Sequence, residues 1–298
     1  MPDRLTVGVV CTRGIGPARG GRSRNEDNYV VCRGREARFR HEREERVTGV
    51  KAIGTLVAVA DGMGGHEDGD LASSAAVQAL TRLFRKGQPE NPEHRLFDFV
   101  LDAHRRLREK AAEMGPVQMG TTLTSSWFIE GRAYWCHVGD SRLYHWRRGV
   151  LRQLSRDHTW KEFAQRDGMP HNDADGRHLV QNFVFGSRGL GDDPMIRLDY
   201  GVDTGSMDLE PNDRFILCSD GLSGFVPSHR IADVLQETPN PQGAATALVE
   251  RALAAGSDDN VTVMVVRVDD TSLYDEGPHI EIIEEDDTLV PDDTLIPE

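Results

Sequence analysis

The stretch TTLTSSWFIEGRAYWCHVGDSRLYHWRRGVLRQLS, residues 121–155, decides the fold class. It is dense in Thr, Trp, Tyr, Val and Ile, residues that suit a pleated, half-buried surface. Glu130-Gly131 and Arg147-Arg148-Gly149 punctuate it at turn positions. The stretch therefore reads as a meander of antiparallel strands. Working outward, strand candidates lie at 5–13, 28–34, 54–62, 213–221 and 260–268. Helix patterns lie at 71–87, 93–114 and 241–256, two of them stopped by glycine. Strands in blocks, separated by helices, predict antiparallel sheets covered by helices and not a doubly wound parallel sheet.

Two segments lack periodicity. Residues 156–212 are rich in Asp, Gly and His and read as an irregular surface flap. The cluster RGREARFRHEREER (33–46) mixes charge signs and reads as a solvated loop. From Asp270 onward there are 11 acids and no Lys or Arg, with a local repeat, DDTLVP then DDTLIP. This segment reads as an acidic tail, disordered when alone. The net charge of −14 lies mostly there: the remaining 38 acids against 35 bases leave the body near neutral. No strongly basic domain exists, so no nucleic-acid partner is expected. No run of eighteen apolar residues predicts a membrane span. The N-terminus lacks the basic and apolar regions of a secretory signal, so a cytoplasmic protein is expected. Cys11, Cys32, Cys136 and Cys218 are scattered in apolar runs without CxxC spacing and read as buried free thiols.

Acids recur where strands begin or end. RNED (24–27) precedes one strand, Asp61 closes TLVAVA, and Asp140 follows AYWCHVG. Asp220 follows RFILCS, and Asp259 precedes NVTVMVV. One such acid is ordinarily a turn residue. Five of them can converge on one edge of a layered sheet, where cations among them relieve their repulsion. All the candidate ligands are hard oxygens, which favours Mg2+ or Mn2+ over zinc. Gly62 leaves its carbonyl open to approach, and the glycines of DGMGG (61–65) permit a tight turn into a helix. Taken alone, DGMGG reads equally as a phosphate loop or a turn.

Seven pieces in order decide between these readings: RSRNEDNY (22–29), VADGMGGHEDGDLAS (59–73), MGTTLT (119–124), HVGDSRLY (137–144), LSRDHT (154–159), CSDGL (218–222) and SDDNVTV (257–263). Together they resemble the protein phosphatase 2C family, the metal-dependent Ser/Thr phosphatases of PPM type, and its bacterial branch. The resemblance implies an α+β fold, a four-layer α-β-β-α sandwich of two antiparallel sheets flanked by helix pairs. It implies one phosphatase domain over 1–270, with the flap at about 156–200, and a separate tail over 271–298. It implies two Mn2+ or Mg2+ ions per active site, and a weaker third. By position, Asp61 looks like the ligand bridging both metals, and Asp220 and Asp259 like further ligands of the first. Glu26 and the Gly62 carbonyl look like ligands of the second, and Asp27 like the acceptor that orients the attacking water. Asp140 is similar to the acid that joins Asp220 at the third metal. Arg22 sits where relatives keep a phosphate-binding arginine, with Arg24 as the fallback. Activity is then metal-assisted hydrolysis of phosphoserine and phosphothreonine in proteins, opposing a Ser/Thr kinase and acting on its targets.

Departures narrow this reading. Met63 stands where eukaryotic relatives carry a histidine, as in the bacterial branch. His66 reads as a surface or helix-start residue, and His137 and His158 as structural. The flap piece SRGLGDDP (187–194) fits the family, whereas 167–184 is less familiar. Two other readings stand beside the phosphoprotein phosphatase: a catalytically silent scaffold, which commonly lacks a core acid, and a phosphatase of a small phosphoester. In the tail, Thr288 and Thr294 each follow two Asp and precede Leu-(Val/Ile)-Pro. They suit phosphorylation and capture by a phosphothreonine-binding module; the plainer reading is a solubilising tail.

Overall fold

Two tight hairpins build the stretch at 121–155. Glu130 and Gly131 both take positive φ, 50° and 81°, as do Arg148 and Gly149 at 52° and 82°. Paired left-handed residues match the twist of the strands they join. The computed structural model describes residues 5–34, 36–40, 42–44, 54–63, 68–86, 90–114, 120–159, 162, 202–269 and 280–284.

In chain order the strands and helices are β1 (Leu5–Thr12), β2 (Asn28–Arg33), β3 (Glu36–Phe39), β4 (Glu42–Glu44), β5 (Thr55–Ala60), β6 (Gly62–Met63), α1 (Asp68–Arg85) and α2 (Pro92–Met114). There follow β7 (Gly120–Thr121), β8 (Leu123–Ile129), β9 (Arg132–Val138), β10 (Arg142–Arg147), β11 (Val150–Gln153) and β12 (Asp203–Asp208). The chain continues through β13 (Arg214–Cys218), α3 (Asp220–Ser223), α4 (Ser228–Glu237), α5 (Pro241–Ala254), β14 (Val261–Val268) and β15 (Ile280–Glu284). One sheet has the order β11-β10-β13-β14-β1-β15, and the other β12-β9-β8-β5-β2-β3-β4.

Three buried clusters define the layers. Val7, Val9, Tyr29, Val57, Val59, Phe128, Phe215 and Met264 fill the space between the sheets. Leu56, Ala58 and Ala60 of β5 face the other way, onto Ala76, Leu80, Phe84 and Leu96 of α1 and α2. Ile216, Val263 and Val265 meet Ile231, Leu235, Ala245 and Leu248 of α4 and α5. The result is helix pair, sheet, sheet, helix pair, the expected four-layer sandwich. β5 is apolar without alternation because both of its faces are covered. Phe128 meets Phe215 edge to face, centroids 5.1 Å apart, across the two sheets; such a pair adds roughly 0.5–1.5 kcal/mol beyond its burial.

The structure corrects five expectations. The meander is not one sheet. Its first hairpin, β8–β9, lies in the seven-stranded sheet and its second, β10–β11, in the six-stranded one. The crossing falls at Gly139–Ser141, so Asp140 sits on the rim of the sandwich. The expected loop at 33–46 contains β3 and β4, which extend the seven-stranded sheet. Ala37 and Phe39 are buried in β3 while Glu36 and Arg38 are not, so charge hid a period of two. Within the expected flap, Asp203–Asp208 pairs with β9 as an edge strand; residues 163–201, including 187–194, lie outside the described residues. Helix α4 was not anticipated, although Ile231, Val234 and Leu235 give it a buried face at helical spacing. Finally, residues 280–284 of the expected disordered tail form β15, parallel to β1, so that sheet is antiparallel except at this edge. Thr288 and Thr294 lie outside the described residues, as does His66.

Candidate metal centre

All five strand-end acids come to one end of the sandwich. β5 delivers Asp61, and the two-stranded ladder of β6 and β7 holds it: Thr122 N and Thr121 Oγ1 donate to Asp61 O at 2.8 and 2.9 Å, and Asp61 N donates to Thr122 Oγ1 at 2.9 Å. Thr122 Oγ1 also shares a hydrogen bond with Ser141 Oγ at 2.8 Å, which ties this turn to the neighbour of Asp140. Gly139 reaches that position with φ 113°, and a Cβ on it would stand 2.5 Å from Thr122 Cγ2. Asp220 opens α3 directly after β13, and Asp259 lies just ahead of β14.

The segment Asn25–Asp27 is fastened from several sides. Asn260 Oδ1 accepts from Glu26 N at 2.8 Å, and Asn260 Nδ2 donates to Arg24 O at 2.9 Å. Glu26 O accepts from Gly62 N at 3.2 Å and from Ser73 Oγ at 2.7 Å. Arg40, beyond β3, donates through Nη1 to Asn25 O and Asp27 O at 2.5 and 2.6 Å. Its Nη2 reaches Asp70 on α1 at 2.5 Å. A Cβ on Gly62 would meet Gly69 O at 2.2 Å, and one on Gly69 would meet Glu26 Oε2 at 2.5 Å. Glycine is required at position 62, where the contacts are backbone, whereas at position 69 the close neighbour is the movable end of the Glu26 side chain, over which α1 passes.

Electrostatics single the cluster out as the candidate site. Burial drives the Asp61 carboxyl well above its usual range, and Asp27, Asp220, Asp140 and Asp259 push it further. Asp220 rises to about 6 through burial and Asp259, opposed by a hydrogen bond from Asp61. Asp140 rises to about 7 through burial, then Asp220 and Asp157. Asp27 rises to about 7 through burial, although Ser219 Oγ and Thr262 Oγ1 each donate to its Oδ2 at 2.7 Å. Glu26 is raised by burial, with Arg22 opposing. Arg22 donates through Nε and Nη2 to both oxygens of Asp259 at 2.8 Å.

Among the described residues, no three carboxylate, thiolate or imidazole groups are arranged to hold an ion as they stand. Asp259 is turned to Arg22 and Asp61 to Asp220. The donor chemistry nonetheless fits hard divalent cations. Burial and neighbouring acids raise Asp27, Asp61, Asp140 and Asp220, and Asp27 Oδ1 and Asp220 Oδ1 are buried without a hydrogen-bond partner. All four cysteines are buried free thiols, as expected, and burial pushes Cys11 up to about 11. A thiolate nucleophile is therefore not on offer.

Similarity to known proteins agrees with this geometry. The family model described as protein phosphatase 2C matches residues 46–255. The chain belongs to the protein phosphatase 2C family. The family match starts after Glu26 and Asp27 and stops before Asp259, but individual relatives extend further. The serine/threonine phosphatase stp of Listeria monocytogenes is 31% identical over 239 residues, covering 78% of this chain and 92% of that protein. The serine/threonine protein phosphatase PstP of Mycobacterium tuberculosis is 34% identical over 231 residues, covering 76% of this chain and 42% of that one. The crystal structure of the catalytic domain of PstP in complex with two manganese ions superposes with a TM-score of 0.67 at 31% identity. It covers 90% of this chain and 99% of its own.

For a protein phosphatase 2C chain, several positioning residues were not legible beforehand. Ser219 and Thr262 lie beside Asp220 and Asp259 in sequence, but only the fold turns their hydroxyls onto Asp27. Arg40 sat within a charge run that looked solvated. His137 and His158 take the structural place expected of them. His137 Nε2 donates to Gly139 O at 3.1 Å and Arg156 O at 3.0 Å, while His158 Nδ1 accepts from Gly139 N at 3.1 Å. Both rings thus hold the turn that carries Asp140. Asp203, at the start of β12, accepts from Arg156 N and Nη2 at 2.8 and 2.7 Å. This contact brings together two residues that lie 47 positions apart in the chain. No helix among the described residues is long and apolar enough to cross a membrane.

Proposed function

We propose that this protein is a metal-dependent serine/threonine phosphoprotein phosphatase, hydrolysing phosphoserine and phosphothreonine and opposing a bacterial Ser/Thr kinase. The observation that carries the reading is the convergence of Asp27, Asp61, Asp140, Asp220 and Asp259 at one rim, where burial and neighbouring acids raise the Asp27, Asp61, Asp140 and Asp220 carboxyls. Asp61 would bridge two ions, Asp220 and Asp259 would complete one, and Glu26 with the Gly62 carbonyl the other. Asp140 with Asp220 would hold a weaker third. Bound Mn2+ or Mg2+ supplies the positive charge that makes water acidic enough to attack phosphorus and offsets charge on the phosphate. Asp27 accepts a proton of the attacking water at Oδ1, because its Oδ2 is already taken by Ser219 and Thr262. Arg22, which pairs with Asp259 at this rim, would turn to a phosphate oxygen as Asp259 turns to an ion.

The phosphatase domain is taken as 1–270, the flap as about 156–200 and the acidic segment as 271–298, in a cytoplasmic setting. A phosphothreonine-binding partner would read Thr288 and Thr294. Purified protein is expected to release phosphate from a phosphothreonine peptide with Mn2+, and EDTA should abolish this. No release from any phosphopeptide, with binding retained, would establish a silent scaffold. Turnover of a generic aryl phosphate alone would establish a small-ester phosphatase.

A further inference from the structure

The parallel direction of β15 sends the chain that follows it to the metal-binding end. In the register, Val7 pairs with Ile280 and Cys11 with Glu284, so β15 ends one residue short of Thr12, where β1 gives way to the loop at 13–24. An antiparallel β15 would release the chain at the opposite end of the sheet. The loop carries Arg13, Arg19, Arg22 and Arg24 and no acid. Arg19, Arg22 and Arg24 are exposed. Arg22 is held against Asp259, and a Cβ on Gly14 would stand 2.1 Å from Asp259 O, so the loop lies along the rim of the candidate site. Residues 285–298 carry six acids and no Lys or Arg.

We propose that the arginine loop at 13–24 docks the chain's own acidic segment 285–298 and that Thr288, once phosphorylated, is an intramolecular substrate of the site. The proposal rests on the phosphatase reading above. Reach supports it. β15 lies two strands from β14, about 10 Å at ordinary strand spacing. Thr288 lies four residues beyond Glu284, a span of up to about 14 Å when extended. Thr288 therefore reaches the Arg22–Asp259 pair without melting β15, and anchoring holds it at an effective concentration on the order of millimolar. Opposite charges on loop and segment favour the docked arrangement, more so at low ionic strength. A protein kinase using a nucleoside triphosphate installs the phosphoryl group. Hydrolysis breaks the bond between phosphorus and Thr288 Oγ1 and forms one from water oxygen to phosphorus. The Thr288 oxygen keeps the electron pair and gains a proton from that water, and inorganic phosphate leaves.

The test uses full-length chain made with phosphothreonine at 288, started by adding Mn2+ and followed by mass spectrometry. An intramolecular reaction gives a half-time that stays constant over about a hundredfold range of protein concentration. Replacing residues 280–284 with Gly-Ser-Gly-Ser-Gly should slow it roughly tenfold, by removing the anchor at unchanged length. Arg19→Glu should slow it several-fold while leaving hydrolysis of a free phosphothreonine peptide unchanged. A half-time that falls in proportion to added enzyme would overturn the docking proposal. If the free peptide is also left intact by the unaltered chain, the phosphatase reading itself fails; if the peptide is hydrolysed, only the docking is wrong.

Discussion

Ser219 Oγ donates to Asp27 Oδ2 at 2.7 Å across 192 residues of sequence. Thr262 Oγ1 donates to the same oxygen at 2.7 Å. These two hydroxyls, one just past the end of β13 and one in the neighbouring β14, oppose the burial and the Asp259 charge that push this carboxylate up to about 7. Removing either leaves a buried carboxylate oxygen short of a donor. Ser219→Ala or Thr262→Val should cost about 1–3 kcal/mol at pH 8. The loss should shrink as pH falls through about 7, because protonated Asp27 needs fewer donors. Urea denaturation at pH 5.5 and pH 8 reads the difference; equal losses at both would refute it.

Arg40 joins the backbone of Asn25 and Asp27 to Asp70 of α1. Its side chain is 10% exposed, so its loss is felt structurally. Arg40→Ala should lower stability by about 1–3 kcal/mol and weaken Mn2+ binding measured by calorimetry. Arg40→Lys should not restore the affinity, since an ammonium lacks the planar fork that spans three acceptors. Full restoration by lysine would show that charge alone suffices.

Gly69 and Gly62 separate stability from metal affinity. A Cβ at Gly69 meets the far end of the Glu26 side chain, which can swing away. Gly69→Ala, within α1, should therefore change stability by less than about 1 kcal/mol while raising the Mn2+ concentration needed for half-maximal binding. A Cβ at Gly62 meets backbone, Gly69 O at 2.2 Å and Glu26 O at 2.6 Å. Gly62→Ala should destabilise by about 1–3 kcal/mol as well. Thermal unfolding and calorimetry on both variants check the contrast.

Asp61 lies at the centre of the mutual repulsion. With divalent ions chelated, Asp61→Asn should unfold at a higher temperature than the unaltered chain at pH 8, because one ionisable acid has left the cluster. With Mn2+ the order should reverse, and phosphopeptide turnover should fall at least about a hundredfold. A variant that binds Mn2+ and turns over normally would exclude the bridging role.

His137 is buried, and burial with His158 nearby lowers its pKa to about 3. It stays neutral in the fold: Nδ1 accepts from Thr124 Oγ1 at 2.9 Å and Nε2–H is spent on carbonyls. The unfolded chain takes up a proton below its ordinary value near 6.5. The stabilisation from this residue is complete above that pH and is lost as pH falls toward 3. The slope is at most about 1.4 kcal/mol per pH unit. His137→Gln should be less stable at pH 7 but show a shallower decline between pH 6.5 and 4, measured by chemical denaturation.

Sequence by itself determined the layered fold and the ligand types. Alternation and turn residues mark strands, glycine-stopped periodic runs mark helices, and acids at strand ends are local facts. It also marked the four cysteines as buried free thiols, since each lies within an apolar run. Only the tertiary structure decided which residues serve those acids. Asp140 lies on the rim because the chain changes sheets at Gly139, and local pattern is the same whether a hairpin stays in its sheet or leaves it. Arg40 and β3 were masked because charged residues at alternate positions read as solvated until a neighbouring strand covers the others. Ser219 and Thr262 act on Asp27 through pairing between β13 and β14, a contact between distant segments that no window of sequence contains. β15 was missed because its three isoleucines sit among acids in a segment whose overall charge predicts disorder, and pairing with β1 supplied the partner its backbone needed.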